Sequence, residues 1–308
     1  MVDASGIKFY SSKIDSNNYN FAKSMFEDCT SLTKTPDMKQ AAGAYMFKNC
    51  TSLVNVTNSD TTLYVKDSMF MGCSKLKTVG NKENFSIYLS GGYAPFCFDS
   101  CTSLTTFPKI KSQSSYEALC CSYMFANCTS LSKFPNGNDL VNFSLSNSCF
   151  YNMFNGCTSI TTLPKSFLSN VNALKESCYE EMFYGCTSLK VAPELSAETI
   201  NVNDAYKGMF TNCTSLTTAK LSLKEFGSSA NHVCYDMFNG CSKLSNVSVG
   251  FTSFSYMNNH KNNNLSNWLN GVASSGIMNV PNTYAWTTES ITHSVNGIPS
   301  GWVVNPVL

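Results

Sequence analysis

Fifteen cysteines and three histidines (His232, His260 and His293) are the side chains here with the most chemistry to offer. Thiols can attack as nucleophiles beside a base, hold zinc, or pair as disulfides. Each use needs its own spacing. A structural zinc site wants pairs such as C-x-x-C joined by further Cys or His. No C-x-x-C occurs, and the histidines are far apart in the chain. A disulfide framework wants an even set of cysteines, and fifteen is odd. No Gly-rich phosphate loop, H-E-x-x-H or G-x-S-x-G is present, and the few carboxylates do not recur at one place. No catalytic residue, metal or cofactor is expected.

What the thiols do have is a period. Cys29, Cys50, Cys73, Cys101, Cys128, Cys157, Cys186, Cys213 and Cys241 follow one another at intervals of 21, 23, 28, 27, 29, 29, 27 and 28 residues. Three residues before each stands a phenylalanine: Phe26, Phe47, Phe70, Phe98, Phe125, Phe154, Phe183, Phe210 and Phe238. Three residues after each comes Leu or Ile. In five copies a proline stands seven residues after: Pro36, Pro108, Pro135, Pro164 and Pro193. The phrase "MFNGCTSITTLP" (153–164) is one copy. A fixed phrase at such a period marks stacked supersecondary units.

Each unit reads in three parts. The Met-Phe-x-x-Cys segment reads as a short turn of helix, too short to stand without neighbours. The "TSLTTLP" segment, rich in Thr, reads as a short strand closed by a proline that cannot donate to a ladder. A connector of variable length follows, as loops on the outside of a coil tolerate. Stacking places the nine Phe rings in one aromatic spine and the nine cysteines in one buried ladder, since a free thiol is among the most buried side chains. A looser set, Cys120, Cys121, Cys149, Cys178 and Cys234, lies upstream. Recurring tyrosines (Tyr45, Tyr123, Tyr151, Tyr179, Tyr206 and Tyr235) are expected to pack in the coil.

The chain carries a net charge of +1 with only 13% charged residues. That gives no electrostatic case for nucleic acid. No apolar run of about 18 residues exists to span a membrane. The opening "MVDASGIKFYSSK" lacks a basic stretch followed by an apolar core, so no signal peptide is expected in it.

The residues four and five after each cysteine are free of the motif and point outward in at least one of the two places. They make a candidate binding stripe of hydroxyls, amides and lysines: Lys34, Asn55, Lys77, Thr106, Lys133, Thr162, Lys190, Thr218 and Asn246. Its bland reading is a solvated strand face on which Thr is favoured.

The phrase "MFxxCTSLTxxP" resembles the BspA-like leucine-rich repeats of surface proteins from anaerobic bacteria, mycoplasmas and some protists, with related repeats in phage-encoded proteins. The resemblance covers residues 25 to about 250. The ending "WLNGV…GIPSGWVV" is similar to segments that close such arrays. The chain departs from the shorter BspA-type unit in that most of its repeats run 27 to 29 residues. The resemblance implies an α/β repeat: a leucine-rich-repeat solenoid of nine coils, each a short strand plus a short helical turn, with terminal caps. The expected division is a cap at 1–24, the array at 25–250 and a C-terminal cap module at 251–308. It further implies a non-enzymatic recognition or adhesion module, on a cell surface or extracellular, binding a host or neighbouring-cell protein or glycan. The alternative is a structural virion protein, such as a phage tail or fibre component that contacts the host.

Overall fold

The computed structural model describes residues 3–4, 6–7, 22–38, 42–80, 85–111, 115–134, 140, 143–165, 167–168, 173–251, 263–281 and 297–307. Pro135, His260, Trp286 and His293 lie outside them. The chain winds as a repeat solenoid in which almost every pairing is parallel and one coil apart. Among the described residues eight strands are assigned: β1 (Thr62–Val65), β2 (Ser86–Leu89), β3 (Lys109–Ile110), β4 (Leu195–Ile200), β5 (Thr218–Phe226), β6 (Asn246–Val249), β7 (Gly276–Pro281) and β8 (Trp302–Val307). They form two parallel sheets, ordered β1-β2-β3 and β4-β5-β6-β7-β8.

Among the described residues the repeated phrase makes no helix, and the strands do not number nine. Among the described residues the single helical piece is a 3-10 turn at Ser90–Gly92, outside the phrase. The Met-Phe-x-x-Cys segment is instead a chain of tight turns. In the coil of Cys128, the N–H groups of Met124, Ala126 and Cys128 close turns onto Cys121, Tyr123 and Phe125. The alternate N–H groups of Tyr123, Phe125 and Asn127 donate to Tyr151, Met153 and Asn155 of the next coil. Half the amides close the turn and half tie the coils, so none is left for an i→i−4 helix. The geometry requires positive φ at every fourth residue, as at Leu119, Tyr123 and Asn127. The position just before the cysteine is therefore held to Asp28, Asn49, Gly72, Ser100, Asn127, Gly156, Gly185, Asn212 and Gly240, all at positive φ. Gly, Asn and Asp enter this left-handed region at least cost.

The strand after the phrase is also shorter than expected in most coils. It shrinks to isolated bridges, Lys34↔Asn55, Asn55↔Thr78, Thr106↔Lys133 and Val191↔Thr218. The ladder runs on only where proline is missing seven residues after the cysteine. Lys220 and Ser248 stand there, inside β5 and β6.

The interior is one continuous core. The nine Phe rings stack with centroids 5.2 to 5.8 Å apart and planes within 13° of parallel. Beside them run Leu32, Leu53, Leu76, Leu104, Leu131, Ile160, Leu189, Leu216 and Leu244, all fully buried. The same bonding carries past the last repeat. Phe238 and Gly240 donate to Trp268 and Asn270, so Trp268 stands where the phrase has Met and Leu269 where it has Phe.

Candidate functional site

The motif's thiols face inward and are all free. From Cys50 to Cys241, each Sγ donates to the carbonyl oxygen of the Phe one coil back, at 3.0 to 3.2 Å. Burial pushes these thiols far up, to about 12 for Cys50 and Cys241. A thiol held protonated in this way is a poor nucleophile and a poor metal ligand. Cys29, in the first coil, is half-exposed. Among the described residues no group of three His, Cys, Asp or Glu is placed to hold a metal.

Within the upstream set Cys120 behaves differently. Cys120 lies beside Cys121 and Cys149, whose hydrogen bonds hold it below the ordinary thiol range, while burial drives both neighbours up. The tyrosines divide as well. Tyr179 and Tyr206 are fully buried and stack on each other, whereas Tyr45, Tyr123, Tyr151 and Tyr235 are half-exposed.

The outward face forms around the fifth residue after each cysteine. Parallel bridges join Asp3, Lys34, Asn55 and Thr78 in one column segment and Thr106 with Lys133 in another. A third segment runs Val191, Thr218, Asn246, Ile277 and Val303. Thr162 occupies the same place in its own coil. Lys77 and Lys190 are exposed but stand one residue earlier, on an adjoining row. Their places in the column belong to Thr78 and Val191. Strict counting of five from the cysteine would have found both, and would have shown the face changing character. Its first part carries Lys34, Asn55 and Lys133, while Val191, Ile277 and Val303 leave apolar surface exposed further along.

Towards that second part lies a cleft of about 530 Å³, walled by Thr162–Lys165 on one side and Val191–Glu194 on the other. Thr218, Lys220, Asn246 and Ser248 extend it across the next two strands. Its polar groups are largely engaged. Lys220 Nζ meets Glu194 Oε1 at 2.8 Å, and Ser222 Oγ donates to the same oxygen at 2.8 Å. Those two bonds hold the Glu194 carboxyl below its ordinary range. Asn246 Oδ1 accepts from Asn279, whose own Oδ1 accepts from Asn305. Lys165, Glu194, Lys220 and Ser248 were not among the residues singled out from sequence.

A parallel solenoid with stacked Phe, Leu and thiol columns and a polar outward face defines a leucine-rich-repeat protein. The chain belongs to the BspA-type leucine-rich repeat family: the region described as "BspA type Leucine rich repeat region" matches in six copies, over residues 5–107, 40–182 and 94–267. No curated protein matches the sequence. Among solved structures, a leucine-rich repeat protein from Bacteroides ovatus is similar at 15% identity, over 93% of this chain and 86% of that one, with a TM-score of 0.33. No helix among the described residues is long and apolar enough to cross a membrane.

Proposed function

We propose that this chain is a non-enzymatic recognition or adhesion module, working at a cell surface or outside the cell. Its partner is a protein or glycan of a host or neighbouring cell. The observation that carries the reading is the division of labour within each coil. The repeat thiols from Cys50 to Cys241 are turned inward, hydrogen-bonded to the coil behind and kept protonated by burial. The column of Lys34, Asn55, Thr106, Lys133, Thr162, Thr218 and Asn246, bordered by Lys77 and Lys190, is exposed or half-buried along the array. Regular, solvent-facing side chains on a rigid scaffold suit recognition, where a few residues dominate the energy and the rest supply complementarity.

The test is binding of the purified chain to arrays of cell-surface proteins and glycans. The paired substitution Lys34→Glu and Lys133→Glu should lower the captured signal about tenfold. Leu119→Ser, on the turn side, should leave it unchanged. Equal signals from all three proteins would refute the assignment of this face.

A further inference from the structure

Among the described residues the outward column is interrupted between Thr78 and Thr106 and again at Thr162. Lys133 pairs back to Thr106 and Val191 pairs forward to Thr218, but among the described residues no bridge joins Thr162 to either side. Pro164 and Pro193 follow two residues after the column position, in the coil of Thr162 and in the next one. Neither has an N–H to donate to a ladder at its own position. Among the described residues, the N–H and C=O groups of Thr162 and Leu163 take no part in a backbone hydrogen bond, although Thr161 C=O accepts from Lys190. The cleft of about 530 Å³ opens at this break.

Its chemistry narrows the occupant. The floor is aliphatic, from Leu163, Pro164, Val191, Ala192, Pro193 and Ala219, and no aromatic ring lines it. A sugar ring is gripped by stacking on an aromatic face and by carboxylates or carboxamides with free lone pairs. Here no ring offers that face, and the Glu194 Oε1 and Asn246 Oδ1 acceptors already serve Lys220, Ser222 and Asn279. What remains open is a strip of unpaired backbone, an apolar floor with Val191 51% exposed, and two cations, Lys165 and Lys190, that form no ion pair among the described residues. Unpaired backbone beside apolar pockets is the arrangement that captures an extended strand, with main-chain bonds giving affinity and alternate side chains giving specificity.

We infer that the break at Thr162 seats an extended polypeptide segment of the partner, with one aliphatic side chain on the Leu163–Val191 floor and a neighbouring carboxylate directed at Lys165 or Lys190. This rests on the outward face being the recognition surface and names the kind of partner it takes.

The experiment selects phage-displayed random linear peptides on the full chain, with neutral and acidic oligosaccharides tested in parallel. Enriched peptides should share an aliphatic residue flanked by Asp or Glu. Their binding should fall about tenfold or more in Val191→Asp and in Lys165→Glu. Both positions are exposed, so unchanged melting temperatures show that the variants still fold. Enrichment without that pattern, or binding indifferent to both substitutions, overturns the inference. So does an empty selection, or oligosaccharide binding that depends on Val191. Loss of array binding in the Lys34→Glu, Lys133→Glu protein alongside an empty selection would leave the recognition face standing and remove only this occupant.

Discussion

The Cys157 thiol donates a hydrogen bond to the carbonyl oxygen of Phe125, one coil back, at 3.0 Å. The same oxygen also accepts the N–H of Cys128. Each such carbonyl thus serves the turn of its own coil and the thiol of the next. This explains why a cysteine, rather than an alanine or a leucine, recurs at this position: the side chain must be small, apolar enough to bury, and still able to donate.

Removing that donor has a bounded cost. In Cys157→Ala the Phe125 oxygen keeps one of its two partners, so the loss should be about 1–2 kcal/mol. Cys157→Ser keeps a donor and should lose less. Urea unfolding of the two variants checks the order, and a Ser variant less stable than the Ala variant would count against a hydrogen-bonding role.

Phe154 packs between Phe125 and Phe183, with centroids 5.8 and 5.5 Å away. Phe154→Ala empties the middle of the spine and should cost about 3–5 kcal/mol. Phe26→Ala, at the end of the spine with Phe47 as its stacking neighbour among the described residues, should cost less. Denaturant midpoints compare them directly.

Gly156 has φ +71, and an added Cβ would lie 2.8 Å from Asn127 Oδ1. Gly156→Val should lose about 2 kcal/mol, combining left-handed strain with that contact. Gly156→Asn, the residue found at Asn127 and Asn212 in equivalent coils, should be much milder. Melting temperatures of the pair read the difference.

The buried thiols also fix a response to alkali. Burial raises Cys50, Cys178 and Cys241 from an ordinary 9.0 to about 12. A thiol raised in the folded state binds its proton more tightly folded than unfolded. Its contribution is complete below pH 9 and is lost as pH climbs towards 12. The melting temperature should therefore fall progressively above about pH 9, and a flat profile through pH 11 would show that these thiols are not buried as described.

Much of this architecture was legible from residue spacing because stacking converts a period into a column. The spacing alone places Phe154 in a spine and Cys157 in a ladder. The turn was misread as helical because Phe-x-x-Cys spacing also fits one helical turn. The telling residues were Asp28, Asn49, Gly72 and their equivalents, whose shared tolerance of positive φ marks a tight turn. The strand was over-extended because the effect of Pro164 and Pro193 on both neighbouring ladders depends on stacking order. The outward face was found in outline, but Lys77 and Lys190 stood in for Thr78 and Val191. The cleft is not legible in the sequence because Lys165, Glu194, Lys220 and Ser248 converge only when four successive coils are brought together.

Alkylation of the native protein with iodoacetamide at neutral pH, read by mass spectrometry, tests most directly whether the repeated phrase is scaffold rather than site. Cys29, half-exposed at the first coil, should be labelled first, followed more slowly by Cys120 through local opening. Cys50, Cys73, Cys101, Cys128, Cys157, Cys186, Cys213 and Cys241 should stay unmodified until urea unfolds the chain, when all fifteen cysteines react. Native labelling of Cys157 as fast as Cys29, or disulfides linking the repeat cysteines, would contradict the ladder and return the thiols to the list of reactive groups.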